Sequence, residues 1–250
     1  MSLNLLDQLN WHTPFHDFIE NIPRLVVVGA QSVGKTSILE KIIGHSDVMP
    51  KGNGMVTRQP VSFRLYYEKS IDFYAVLSLK VPPPSYDQIQ KDVVDAADNR
   101  YVTDKWLVET PLFIKIYSRK CPNLALVDLP GLIRVPDDRQ PKDLDEQIKK
   151  LIMSYITQSN TVIVAISPAN QDIANSDSLK LAREVDPTGN RTVGVISKYD
   201  LVGSDEIIEG VIKGKLYKLR YGYIPIIISN EKPAEEEKTI KNLITRLEVR

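Results

Sequence analysis

One cysteine, Cys121, stands in 250 residues, so no intrachain disulfide can form. That suits a reducing compartment such as the cytosol. Three histidines beside that single cysteine leave too few ligands for a zinc site. An excess of either charge is also missing: 32 Lys and Arg face 32 Asp and Glu, for a net charge of zero. A general nucleic-acid binder carries a basic surface and a polybasic membrane anchor a basic cluster, and neither is expected here. No run of about 18 apolar residues occurs, so no membrane-spanning helix is expected. The first ten residues carry Asp7 and lack both a basic region and a cleavage site, so they do not read as a signal peptide. What is present is 42% hydrophobic residues, enough to bury a core in one large domain or a domain with a small appendage.

Leu3, Leu6, Phe15, Phe18, Ile19 and Ile22 recur at roughly helical spacing, broken near Pro14, and predict two short amphipathic helices. Short β-branched and apolar runs predict strands at 24–28, 61–67, 71–79, 112–117, 124–127, 161–166, 191–196 and 223–228. Helical patterns fall at 36–43, 85–99, 144–156, 176–185, 205–212 and 234–249. Glycines and prolines mark long loops at 44–60 and 130–141. The close spacing of 61–67 and 71–79 predicts a hairpin. Strands alternating with helices predict a layered α/β fold with a mostly parallel sheet.

The strongest chemical signal is Gly29-Ala30-Gln31-Ser32-Val33-Gly34-Lys35-Thr36, between a predicted strand and a predicted helix. Glycines let the backbone wrap around phosphates, and the helix start adds its positive dipole end. Lys35 then neutralises the β- and γ-phosphates, and the Thr36 hydroxyl binds Mg²⁺. Asp128-Leu129-Pro130-Gly131 follows the strand at 124–127. A carboxylate there lies near the metal and acts through a metal-bound water, while Gly131 lets its N–H approach the γ-phosphate.

Ser197-Lys198-Tyr199-Asp200 closes the strand at 191–196. A carboxylate at Asp200 can accept from guanine N1–H and the exocyclic amine together, a donor pair adenine lacks, and the Lys198 stem can pack over the base. Thr57, in the loop after the first nucleotide helix, can complete the Mg²⁺ sphere only when a γ-phosphate is present. Small regulatory GTPases carry a glutamine just after the D-x-x-G glycine, but here Leu132 and Ile133 follow Gly131. Gln31 is the only amide placed to reach the γ-phosphate, and no arginine stands out as a finger beyond the candidate Arg58.

These residues resemble the GTPase domain of the dynamin family over roughly residues 5–249. The loop Gly29 to Ser37 is similar to the family's G-x-Q-S-x-G-K-[ST]-S, Met49 to Arg58 to its first switch, and Asp128 to Gly131 to its D-L-P-G. The runs Ser167 to Asp177 and Glu184 to Gly189 resemble further family signatures. The resemblance implies an extended dynamin-type G domain of the P-loop GTPase fold, its mostly parallel central sheet flanked by helices. It implies binding of GTP through Gln31, Ser32, Val33, Gly34, Lys35, Thr36, Ser37, Gly131, Lys198 and Asp200, with Asn230 serving the base if its loop shifts by two residues. Mg²⁺ falls to Thr36, Thr57 and Asp128, and a monovalent cation, Na⁺ or K⁺, to Ser32 with the carbonyls of Gly52 and Gly54. Gln31 and Thr57 hold the attacking water, beside Ser32 and Lys35, and the cation replaces an arginine finger. Two G domains pair face to face and so stimulate hydrolysis, with Asp172 in the loop that contacts the partner.

Departures from the family pattern are Gln59 for a second arginine, Ser197 for threonine, Tyr199 for leucine, Gly203 for aspartate, and Ser229-Asn230-Glu231-Lys232 where an asparagine–arginine pair is usual. Residues 1–22 and 234–250 flank a G domain at 23–233. They resemble helices of the hinge bundle that joins a G domain to a stalk, and the same apolar faces would equally cap the domain locally. The resemblance implies a fragment of a membrane-remodelling protein, cytoplasmic and peripherally membrane-associated through stalk and lipid-binding parts absent from this chain. Two alternatives stay open: a GTP-dependent binding module with slow turnover, and, disfavoured by Asp200, an ATPase of related fold.

Overall fold

The strand β1 (Arg24–Val28) is buried at every position after its first, and its successive side chains point to opposite faces. Leu25 and Val27 enter one core, Val26 and Val28 the other. A strand apolar on both faces belongs inside a sheet that is covered on both sides. A computed structural model describes residues 24–46, 48–49, 57–77, 106–202, 206–213, 217–228 and 233–248. The helices expected within 2–22 and at 85–99 lie outside the described residues.

The remaining strands are β2 (Val61–Tyr67), β3 (Tyr74–Leu77), β4 (Leu112–Ser118), β5 (Leu124–Asp128), β6 (Thr161–Pro168), β7 (Thr192–Ser197) and β8 (Tyr223–Pro225). They form one sheet in the order β3-β4-β2-β5-β1-β6-β7-β8. Only β2 against β5 and β3 against β4 are antiparallel, so the sheet is mostly parallel, as expected. The helices are α1 (Lys35–Ile43), α2 (Leu144–Ile156), α3 (Asp177–Val185), α4 (Glu206–Ile212) and α5 (Pro233–Glu248).

Helices α1 and α5 cover one face through Ile38, Leu39, Ile42, Ile240, Leu243 and Leu247. Helices α2, α3 and α4 cover the other through residues such as Ile148, Ile152, Leu179, Ala182 and Val211. On α2, Leu144, Ile148, Ile152 and Ile156 recur every fourth residue and form one buried stripe. Each such side chain stabilises the fold by about 1.5–3 kcal/mol.

The expected hairpin of β2 with β3 does not form, because β4 lies between them, parallel to β2 and antiparallel to β3. The connection is too long for a tight turn and crosses the end of β4 instead. Glu68 N–H donates to Ser118 O, Arg119 N–H to Ile71 O, and Ser118 Oγ to Asp72 O. Two strand spacings, roughly 10 Å, are within easy reach of such a connection. The last strand is also shorter than expected, ending at Pro225 rather than residue 228. Its partner β7 stops at Ser197, and Lys198 then turns the chain away with φ 56°.

The Glu184-to-Gly189 signature acquires a physical role. Asp186 is buried at the end of α3, and its carboxylate accepts Asn190 N–H at 3.0 Å, Arg191 N–H at 2.9 Å and Thr192 Oγ1 at 2.7 Å. So held, Arg191 donates to Val185 O at 3.0 Å and Ile156 O at 2.6 Å. Its charge thus meets the negative C-terminal ends of α3 and α2. Asp186→Ala strands these donors and should destabilise the domain by about 3 kcal/mol. Denaturant unfolding reads this directly, and a change within ~0.5 kcal/mol would show that the carboxylate is dispensable.

Candidate nucleotide site

The loop between β1 and α1 crosses the C-terminal edge of the sheet at its centre, since β1 pairs with β5 on one side and β6 on the other. A Cβ at Gly29 would meet Val33 Cγ2 at 2.8 Å and Ile166 O at 3.3 Å, so only glycine lets the loop turn this closely. Ser32 and Gly34 take positive φ values of 59° and 92°. Left-handed residues of this kind curl the backbone and turn its N–H groups inward, as an anion cradle requires. Helix α1 starts at Lys35, with Thr36 and Ser37 half-buried in its first turn. Val33 is buried, and Ser197 Oγ donates to its carbonyl at 2.7 Å, tying the end of β7 to the loop.

Three predicted residues from distant segments meet beneath this loop. Lys35 is nearly buried, and its Nζ donates to Gly29 O at 3.1 Å and Ala30 O at 2.9 Å. Asp128 ends β5 opposite Val27 and is fully buried. Thr57 is buried too, and its Oγ1 donates to Asp128 Oδ2 at 3.4 Å. Burial pushes the Asp128 carboxyl up to about 6, against the opposing pull of Lys35, the Thr57 hydroxyl and the Leu129 N–H. Burial lowers the Lys35 pKa, opposed by Asp128.

The other oxygen, Asp128 Oδ1, is buried without a hydrogen-bond partner among the described residues. An orphaned carboxylate oxygen is costly unless a cation or donor satisfies it. Carboxylate and hydroxyl oxygens are the hard donors that suit Mg²⁺, so Asp128, Thr57 and Thr36 fit that ion chemically. Of the monovalent-cation set, Ser32 is exposed on the loop, while Gly52 and Gly54 lie outside the described residues.

Gly131 packs directly against the loop. A Cβ there would lie 2.8 Å from Lys35 Nζ and 3.1 Å from both Gln31 Cγ and Gln31 N. Next to it, Gln31 N–H donates to Leu132 O and Leu132 N–H to Gly29 O, each at 3.1 Å. This two-bond bridge seals the phosphate loop to the segment after Gly131 and brings the Gln31 side chain beside Lys35 and Gly131. The missing glutamine after Gly131 thus has an amide nearby, contributed by the phosphate loop itself.

Lys198 and Asp200 follow β7 at a single turn of 3-10 helix, Tyr199–Leu201, both half-buried. Tyr199 N–H donates to Ile226 O at 3.3 Å, which holds that turn against the end of β8. Asn230 and Gly203 lie outside the described residues. Asp172 is exposed on the loop after β6, where its carboxylate accepts from Ala174 N–H and Asn175 Nδ2. The candidate finger Arg58 lies over the Trp106 ring, 4.4 Å from its centroid.

Other residues emerge only in three dimensions. Buried Glu40 on α1 accepts Met49 N–H at 3.4 Å and so holds the start of the loop that leads to Thr57. Arg134 donates to Asp177 Oδ2 at 2.8 Å and Asn175 O at 3.3 Å, joining the segment after Gly131 to the Asp172 loop. No spacing rule marks either residue. Between these segments and the phosphate loop lies a cavity of about 330 Å³, lined in part by Gln31, Val33, Ile133, Gln171 and Ser176.

Residues 25–199 match the family model described as the Dynamin family. The chain is 39% identical to Dynamin-2 of Bos taurus over 226 residues, 90% of this chain and 26% of that protein. It is 40% identical to Dynamin-2 of Homo sapiens over 223 residues, 88% of this chain and 25% of that protein. It is 39% identical to Dynamin-3 of Homo sapiens over 221 residues, again 88% of this chain and 25% of that protein. The chain thus spans about a quarter of the length of these curated relatives.

Two variants test the geometry. Gly131→Ala forces Lys35 and Gln31 away and should weaken binding of a non-hydrolysable GTP analogue by about tenfold; unchanged affinity would refute the contact. Asp128→Asn replaces a carboxyl whose ionisation the buried site resists. At pH 7, above its raised pKa, that ionisation weighs against the nucleotide-free fold. The variant should therefore melt at or above the wild-type temperature without nucleotide, yet lose Mg²⁺-dependent binding. A clearly lower melting temperature would contradict this.

Proposed function

The chain belongs to the dynamin family, and from that premise we propose that it is the GTP-binding and GTP-hydrolysing domain of a dynamin-related mechanoenzyme. The convergence of Lys35, Thr57 and Asp128 under one glycine-walled loop carries this reading. The ammonium of Lys35 exchanges its two loop carbonyls for β- and γ-phosphate oxygens. The N–H of Gly131 meets the γ-phosphate, and the backbone of Ser32 to Ser37 wraps the phosphates. Thr36, Thr57 and Asp128 would hold Mg²⁺, and Ser32 with the carbonyls of Gly52 and Gly54 would hold a monovalent cation; these ions would supply positive charge to the phosphates, the second in place of an arginine finger.

Gln31 and Thr57 orient a water in line with the bond to be broken. Its oxygen bonds to the γ-phosphorus as the bond to the bridging oxygen breaks, and its protons stay with the released phosphate, giving GDP and dihydrogen phosphate. The Lys198 stem covers the base, Asp200 accepts from the guanine N1–H and amine, and Asn230 adds a further base contact. Pairing of two domains across their nucleotide faces, with Asp172 in the contact, orders the water and stimulates turnover.

The biological setting of this activity is membrane remodelling by fission or fusion, in a cytoplasmic protein peripherally associated with the membrane. No nucleic-acid partner is involved. The segments 1–22 and 234–250 serve the domain as caps or join it to a hinge bundle. The burial of Ile240, Leu243 and Leu247 of α5 against the sheet supports the capping role for the second. A second reading is a GTP-dependent binding module with slow turnover, which the Leu132 following Gly131 favours.

Turnover per molecule should rise with protein concentration, and rise further with K⁺ or Na⁺ than with a bulky organic cation. A flat profile accelerated only by a separate activator would favour the binding module instead. Gln31→Glu should retain GTP binding but lose at least about 100-fold in turnover, and near-normal turnover would remove Gln31 from the water site.

A further inference from the structure

Three serines near the end of β6 have no place in the nucleotide chemistry, yet their hydroxyls form one continuous chain. Ser178 Oγ donates to Ile166 O at 2.9 Å, leaving its lone pairs to accept from Ser176 Oγ at 2.9 Å. With its proton spent there, Ser176 Oγ accepts Leu179 N–H at 3.3 Å as the N-cap of α3, and accepts Ser167 Oγ as well. Each hydroxyl donates once, in one direction, to a carbonyl that ends the chain. Ser167 and Ser178 are each only 2% exposed, so no bulk water can replace a lost partner.

The chain anchors the loop that carries Asp172. Ala169 and Ile173 of that loop enter the core beside α3, Arg134 reaches Asn175 O from the segment after Gly131, and the side toward the phosphate loop borders the 330 Å³ cavity. Its internal bonds run from Asp172 to Ala174 and Asn175 and end at Ser176, where Ser176 N–H donates to Ile173 O. The carbonyl at which the chain ends, Ile166 O, is the one that a Cβ at Gly29 would meet at 3.3 Å. Loop and phosphate cradle therefore share one fixed point on β6.

We propose that the Ser167–Ser176–Ser178 hydroxyl chain holds the Asp172 loop in register with the phosphate loop, making Ser178 a positioning residue for domain pairing. The inference rests on the reading of Asp172 as a pairing contact. In Ser178→Ala, and in Ser167→Ala at the other end of the chain, amide hydrogen exchange at Ala174, Asn175 and Ser176 should quicken about fivefold. Affinity for a non-hydrolysable GTP analogue and turnover in dilute protein should stay at wild-type values. The protein concentration at which turnover accelerates should rise by about fivefold. Unchanged exchange in both variants overturns the anchor. Faster exchange with an unshifted acceleration midpoint overturns the link to pairing. A wild-type turnover that is flat in concentration overturns the reading of Asp172 instead, and the exchange rates then decide the anchor alone.

Discussion

Everything at the nucleotide site depends on β1 being hydrogen-bonded along both edges and buried on both faces. A loop that leaves such a strand inherits its rigidity. The phosphate cradle can therefore hold strained backbone at Ser32 and pack Gly131 against Lys35 without collapsing. The flanking strands deliver the remaining chemistry to the same edge: Asp128 from β5, Ser197 from β7, and the Asp172 loop from β6. Ligand sites outside the carboxyl ends of parallel strands follow from this geometry.

That rigidity has a cost at the floor of the site. Lys35 and Asp128 are both withdrawn from water, and burial works against the charge on each. Lys35 leans on loop carbonyls, and Asp128 has one oxygen without a partner among the described residues. Both groups are suited to a ligand by their chemistry, since phosphate oxygens suit an ammonium and a cation suits a carboxylate oxygen. Stability given up at a binding site is the ordinary counterpart of affinity.

Much of this was legible beforehand, for identifiable reasons. The loop from Gly29 to Thr36 requires glycine and lysine at fixed spacing, and Asp128 and Gly131 sit one strand away in a fixed order, so residue type alone marks them. The two-sided burial of β1, β6 and β7 shows as continuous apolar runs. The hairpin expectation failed because spacing cannot reveal that β4, some 45 residues later, slots between β2 and β3. Glu40, Arg134, Arg191 and Ser178 carried no sequence signal, and Ser167 and Ser176 showed only as members of a longer signature, because each acts through a partner that only folding brings near.

By itself the sequence determined the class of fold, the turn of the loop from Gly29 to Lys35 and the candidate groups around it, because those depend on local backbone needs and on residue chemistry. Tertiary structure alone decided how they connect: the bridge from Gln31 to Leu132, the contact of Thr57 with Asp128, and the shared footing of the phosphate and Asp172 loops on β6. These are hydrogen bonds and close approaches between segments far apart in the chain, set by strand order and register, which no periodicity in a single sequence encodes.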